Sequence, residues 1–264
     1  MKKKQLLQKG DWAVITGASS GIGKAIAERL AQRGVNLFIV ALDQNTLSEL
    51  AKMWKEKYLI QTVAMPLDLS GPQSAEKIFE QLREHKISVT LLLNAAGFGY
   101  FGDFEAMPTQ QIYQIIQVNV TTVVQLCRLA YVHMRGRKRG IIINIASVAG
   151  HLPYPFAAVY CGGKSFIHLF TRALWAENQT KNIKIISLCP GYTKTNFEIA
   201  AKEPSGIHLF KGEDPYDIAD TLLRHIDRNE CTLFTKFSHP FKILAAKLLP
   251  LKLFTSILRY LRKK

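Results

Sequence analysis

Short β-branched apolar runs alternate along this chain with longer stretches whose apolar positions recur every three or four residues. Seven runs read as strands: 12–16, 35–41, 61–65, 90–94, 140–146, 183–188 and 231–235. The helical period fills 21–33, 44–57, 71–84, 109–134, 156–178 and 215–229. Ser70 and Thr109 are expected N-caps, and Gly34 stands where the first helix should end. Strands that are apolar throughout, joined through helices, predict an α/β fold: a doubly wound parallel sheet covered on both faces, with ligands beyond the carboxyl ends of its strands. No Pro/Gly/Ser-rich linker or internal repeat divides the 264 residues. The pattern therefore predicts one domain over 11–236, with a basic extension at 1–10 and a basic tail at 237–264.

The formal charge of +15 changes this picture only at the ends. Lys2, Lys3, Lys4 and Lys9 precede the first strand without an acid, and eight Lys/Arg occupy 236–264, again without an acid. The body between holds 23 basic and 20 acidic side chains, so no basic face for nucleic acid is expected. The block Arg135-Gly136-Arg137-Lys138-Arg139-Gly140 reads as a solvated helix-to-strand loop. Lysines and Pro250 interrupt the apolar stretch 241–258, which makes it a poor membrane span. After Pro250, Lys252, Thr255, Ser256, Arg259, Arg262 and Lys263 share one helical face, and Leu253, Phe254, Ile257, Leu258, Tyr260 and Leu261 share the other. Such a helix suits an anionic membrane surface, or packs on its own domain or a partner subunit; the sequence leaves both open. The four cysteines, Cys127, Cys161, Cys189 and Cys231, lack metal or redox spacing, and no secretory leader is read before the first strand. The expected setting is a reducing cytoplasm, peripheral at the inner membrane face if the tail binds lipid.

Directly after the first strand comes Thr16-Gly17-Ala18-Ser19-Ser20-Gly21-Ile22-Gly23, and a helix follows. Glycines admit a pyrophosphate close to the backbone, while helix N-terminal amides and the hydroxyls of Ser19 and Ser20 can donate to it. A glycine cluster alone could be an ordinary turn, but between the first strand and a helix it reads as a dinucleotide site. Its spacing is G-x-x-x-G-x-G.

That spacing resembles the cofactor turn of the short-chain dehydrogenase/reductase family, a Rossmann-fold family. Asn94-Ala95-Ala96-Gly97 after the fourth strand, Asn119 in the next helix, Ser147 at the end of the fifth strand, Tyr160-x-x-x-Lys164, and Pro190-Gly191 after the sixth fall in family order. The resemblance spans roughly residues 11–235. It implies an oxidoreductase using NAD or NADP, in which Asn119, Ser147, Tyr160 and Lys164 are catalytic. The implied cofactor contacts are Gly17, Ser19, Ser20, Gly21, Ile22, Gly23, Asp43, Asp68, Leu69, Asn94, Ala95, Gly97, Tyr160, Lys164, Pro190 and Thr193; no metal is implied. In the family the lysine also holds the nicotinamide ribose, and the asparagine supports a water relay.

The chemistry explains the residue types. Tyr160 and Lys164 share a helix face. An ammonium beside a phenol lowers its pKa and fits it to exchange a proton with an alcohol or carbonyl oxygen, and Ser147 can bond the same oxygen. The intervening Gly162-Gly163 weakens a helix; packing within the domain could tolerate this, or a closely approaching second helix could offset it, and the resemblance implies the latter because this helix commonly forms a subunit face in the family, as in a homodimer or homotetramer. At the end of the second strand Leu42 stands where relatives using NADP place an arginine, and Asp43 is one position beyond the usual acid, free to be a helix N-cap instead; NAD is slightly preferred. The segments 98–101, 151–156 and 195–210 should line the substrate pocket, and the first two are aromatic and apolar, suiting a hydrophobic alcohol, ketone or aldehyde. His151 could touch substrate, whereas His133 and His168 read as packing or surface positions. The alternative function is a non-catalytic dinucleotide-binding sensor or interaction module.

Overall fold

The computed structural model describes residues 6–178, 182–195, 197 and 212–262. Seven parallel strands form one sheet in the order β3-β2-β1-β4-β5-β6-β7: β1 (Trp12–Thr16), β2 (Asn36–Ala41), β3 (Thr62–Pro66), β4 (Val89–Asn94), β5 (Gly140–Ile145), β6 (Ile183–Cys189) and β7 (Thr232–Phe234). The chain builds outward from β1 to β3, then crosses back to start the other half at β4. This reversal opens a crevice past the carboxyl ends of β1 and β4.

Period-two alternation sends side chains to both faces, and both are covered. Ala13, Ile15, Leu37, Ile39, Leu91 and Ile143 pack with α1 (Gly21–Gln32), α2 (Gln44–Tyr58) and α7 (Pro215–His225). Val14, Phe38, Val40, Leu92 and Ile142 pack with α3 (Ser74–Glu84), α5 (Thr122–Arg137) and α6 (Ala158–Glu177). Each fully buried Ile, Leu or Phe contributes about 1.5–3 kcal/mol, which is why β2, β4 and β5 are buried along their whole length.

The expected caps at Ser70 and Thr109 are not used. Asp68 Oδ1 takes the Ser70 amide at 2.8 Å, so the chain turns there and α3 starts only after Gln73, whose φ is 58°. Thr109 is the first residue of α4 (Thr109–Ile116), with Pro108 before it. The expected single helix 109–134 is interrupted by a π turn at Gln117–Thr121 before α5. By length and composition Thr109–Arg137 could cross a membrane, but it lies on the sheet with 44% of its most apolar window buried. Arg139 is not solvated as expected: its guanidinium bonds Asp11 Oδ2 at 2.5 Å and the Leu6 carbonyl at 2.8 and 3.0 Å, tying the chain start to β5.

The tail divides at Pro250 into α8 (Ser238–Leu248) and α9 (Leu251–Arg262), because the residue before a proline is held extended, here Leu249 at ψ 142°. His239 and Ile243 of α8 are buried against the domain. Lys2 to Lys4 and Lys263 lie outside the described residues, as does most of 195–210.

Candidate active site

The glycine turn is shaped by backbone contact. Gly17 has φ 68°, and a Cβ there would meet the Ala96 Cα and amide nitrogen at 2.7 Å. A Cβ on Gly23 would lie 2.2 Å from the Gly17 carbonyl oxygen. The turns after β1 and β4 therefore press on one another, and Thr16 Oγ1 locks them by accepting from the amides of Ala95 and Ala96 at 3.1 and 3.2 Å. Ser20 occupies the N-cap of α1 in extended conformation but makes no side-chain cap bond. The first turn of α1 and the two serines therefore stand at the carboxyl end of β1, residue types that suit a pyrophosphate. Ile22 packs partly into the core beneath. Gly21 sits within 3.0 Å (Cβ basis) of the Thr195 side chain, which closes the turn from the β6 side.

The Asn94 side chain is turned away from the crevice. It is buried and donates to Asn144 Oδ1 at 2.8 Å, and Asn144 donates to Thr171 Oγ1 at 2.9 Å, a polar bridge joining β4, β5 and α6. Cys127 belongs to the same bridge, and burial pushes its thiol up to about 12. Asn94 thus ties β4 to β5 and, through Asn144, to α6.

Gly97 marks the convergence of the helical residues. A Cβ there would lie 3.0 Å from Asn119 Oδ1 and 3.6 Å from Lys164 Nζ. Asn119, inside the π turn and buried, donates to the Phe98 carbonyl at 2.8 Å and accepts from its amide at 3.2 Å. Lys164 Nζ lies 5.8 Å from the centroid of the Tyr160 ring and donates to the Ile145 carbonyl at 2.7 Å. Burial of the ammonium lowers Lys164 to about 8. Ser147 lies two residues beyond β5 and is buried; its Oγ accepts from the Ala149 amide at 3.1 Å, which leaves the hydroxyl proton to donate elsewhere.

Around Tyr160 lie Phe101, at 5.8 Å between ring centroids, and Phe197, at 5.3 Å. A Cβ at Gly99 would touch all three rings at 3.1–3.3 Å, so this glycine lets the aromatic wall close. Phe101 and Phe197 belong to the segments 98–101 and 195–210 expected to line the substrate pocket. His151, which could have been a substrate contact or an ordinary loop residue, packs tilted against His168 at 4.3 Å and Phe234 at 5.4 Å between ring centroids. His168 is buried and bonds Ser187 Oγ at 2.9 Å. The ligand atoms of His151, His168 and Cys189 lie within 4.8 Å of one another. Burial holds His168 down to about 4 and Cys189 up to about 12, so they pack as neutral groups. Cys161 is likewise buried, its thiol raised to about 11.

Asp43 caps α2: its carboxylate accepts from the Asn45 and Thr46 amides at 3.0 and 3.3 Å and from Thr46 Oγ1 at 2.6 Å. These bonds, the Thr46 hydroxyl foremost, lower its pKa. Leu42 beside it is 72% exposed. Asp68 is occupied in its own turn and Leu69 is buried, its carbonyl taken by Thr122 Oγ1 at 2.9 Å. The Pro190 carbonyl accepts from the Val148 amide at 2.9 Å, and Thr193 Oγ1 donates to the Gly191 carbonyl at 3.0 Å. Buried Glu213 takes the Gly191 amide at 2.9 Å and lies 3.4 Å from His239 of α8, a clasp with no local signal in the sequence.

A family model described as short chain dehydrogenase matches residues 11–205. The chain belongs to the short-chain dehydrogenase family. Among relatives, the very-long-chain 3-oxoacyl-CoA reductase-A of Danio rerio is 34% identical over 188 residues, covering 70% of this chain and 59% of that protein. The chain thus spans less than two thirds of the length of the curated relatives it matches. The inactive hydroxysteroid dehydrogenase-like protein 1 of Rattus norvegicus is 32% identical, covering 72% of this chain and 58% of that one. Among solved structures, a short-chain dehydrogenase from Sphingobium yanoikuyae in complex with NADPH superposes with a TM-score of 0.81 at 27% identity, covering 90% of this chain and 93% of the other. This family member shares with that structure the parallel sheet and flanking helices described above.

Proposed function

We propose that the chain is a short-chain oxidoreductase that uses NAD or NADP and interconverts an alcohol with a ketone or aldehyde on an apolar molecule. The observation that carries this is the convergence of Lys164, Asn119 and Tyr160 on the strip from Gly97 to Gly99, beside the glycine turn. When bound, the nicotinamide would supply or accept the hydride. Gly17, Ser19, Ser20, Gly21 and Gly23 would hold its pyrophosphate, and Pro190 and Thr193 its carboxamide end. In reduction, the Tyr160 hydroxyl gives its proton to the carbonyl oxygen as charge develops there. The Ser147 hydroxyl donates a second bond to that oxygen. The Lys164 ammonium stabilises the phenolate left on Tyr160, and its bond to the Ile145 carbonyl fixes its direction while leaving two N–H groups to donate. Asn119 serves as a positioning residue, since both ends of its amide hold Phe98.

The wall formed by Phe101, Phe197 and Tyr160 supports an apolar substrate, and the 3-oxoacyl relatives support a carbonyl on an acyl chain. Outward apolar residues on α5 and α6, namely Val132, Phe166 and Leu169, support a homodimer or homotetramer. The basic segment 251–264, helical over Leu251–Arg262, supports a peripheral membrane contact from the cytoplasmic side. A relative named inactive gives weight to the sensor alternative. Incubation with NADH or NADPH and a panel of ketones, aldehydes and 3-oxoacyl thioesters, followed by nicotinamide absorbance, tests the reading. Turnover of an apolar carbonyl is expected; dinucleotide binding with no turnover across the panel would favour the sensor.

A further inference from the structure

We infer that α8 and α9 together form a docking surface for an anionic lipid bilayer, and that this surface sets the substrate entrance at the membrane. Helix α8 has two apolar faces. His239, Ile243 and Ala246 turn toward the domain, while Phe237, Phe241, Leu244 and Leu248 recur at helical spacing on the opposite side. The outward four are 86%, 58%, 58% and 78% exposed, far more than a helix closed on its own domain leaves bare. In α9, Phe254 and Leu258 lean inward and Leu253, Ile257 and Tyr260 face solvent. Neither helix, at 11 and 12 residues, can span a bilayer, so the surface lies on it.

Charge decides between lipid and protein as the occupant. Eight Lys/Arg and no acid lie between 236 and 264. The cores of protein interfaces are depleted in lysine, whereas each basic side chain near an anionic leaflet adds about 1 kcal/mol of attraction.

The docking helices are built on the site. His239 closes on Gly191 and Glu213, and Phe254 packs edge-on against Tyr154 at 6.4 Å, six residues before Tyr160. A bilayer beneath α8 and α9 would therefore lie next to the segment that carries Tyr154 and leads into the helix of Tyr160. This part rests on the oxidoreductase reading and makes the substrate a carbonyl compound dissolved in the bilayer.

Flotation of the full chain with vesicles of phosphatidylcholine, alone or with phosphatidylglycerol, tests the docking without any activity. The chain should float with the anionic vesicles and be released by high salt. The double variants Phe241→Glu/Leu244→Glu and Leu253→Glu/Ile257→Glu should each weaken binding by about tenfold or more. Melting temperature and turnover of a water-soluble ketone should stay unchanged, because these side chains point outward. Absence of flotation with anionic vesicles would overturn the inference. So would variants that float like the parent, or a dimer that the glutamates dissolve in sedimentation. Flotation by a chain that reduces neither soluble nor vesicle-borne ketones would uphold the docking and remove the oxidoreductase reading.

Discussion

Lys164→Met separates the role of a buried cation from that of a packed side chain. Burial lowers the Lys164 ammonium from its ordinary 10.5 to about 8, so holding the charge in the folded state near neutral pH costs roughly 3 kcal/mol. Methionine fills similar space without charge, but leaves the Ile145 carbonyl without its 2.7 Å donor, a loss of about 1–3 kcal/mol. The two effects nearly cancel near pH 7, where the variant should be as stable as the parent or slightly more so. The sign follows from proton binding. Between about pH 8 and about pH 10.5 the unfolded parent binds a proton that the folded parent lacks, so parent stability rises with pH across that window. The variant has no such group, and its stability relative to the parent should fall by about 2–3 kcal/mol from about pH 7 to about pH 10. Cys189, raised to about 12, stays neutral throughout and does not mask the effect. Urea melts of both dinucleotide-free proteins across that range measure it. A stability difference that stays constant with pH would refute the claim that Lys164 is held as a desolvated ammonium.

Four further outcomes follow from particular positions. Gly23→Ala places a methyl group 2.2 Å from the Gly17 carbonyl oxygen, so the turn must shift; dinucleotide affinity should drop at least about tenfold and the melting temperature should fall. Because Asp43 caps α2, Asp43→Ala should cost about 1 kcal/mol in stability. NADH should bind the parent more tightly than NADPH, and Leu42→Arg should reverse that order by offering the 2′-phosphate a partner; an unchanged preference in titrations of both cofactors would contradict this. A Cβ on Gly162 meets nothing within 4 Å in the single chain, whereas Gly163 faces Val120. Gly162→Leu should therefore leave the fold intact and shift the oligomer in sedimentation, and an unchanged oligomer would exclude Gly162 from the subunit contact.

Every strand was legible to within two residues, because the short β-branched apolar runs, buried throughout in β2, β4 and β5, contrast with the helical period of the segments between them. The glycine turn and the pair Tyr160 and Lys164 stood out for a different reason: local spacing on a turn and on one helix face left each open to an ordinary structural role, and their occurrence together in family order with Asn119 and Ser147 singled them out. What stayed hidden depends on partners distant in the chain. The π turn at Gln117–Thr121 accompanies the grip of Asn119 on the Phe98 backbone, which no helical periodicity encodes. The clasp of His239 on Glu213 joins residues from a tail and a loop. The inward turn of Asn94 depends on Asn144, fifty residues later. Asp43 was ambiguous in the sequence because a cap and a ribose contact ask for the same residue type at the same place, and the structure shows the cap. The charge at the end of the chain acquired a direction only from exposure, which divided the apolar residues of α8 into an inner and an outer face.

The most direct test of the central claim compares the parent with Tyr160→Phe, first in dinucleotide binding and then in turnover of an apolar ketone identified by the panel. The ring and its contacts with Phe101 and Phe197 remain in the variant, so only the proton is removed. Dinucleotide affinity should be retained within a few-fold, while kcat falls by about 100-fold or more. A Tyr160→Phe protein that turns over the ketone at the parental rate would contradict the assignment of Tyr160 as the acid/base, and with it the reading of this site.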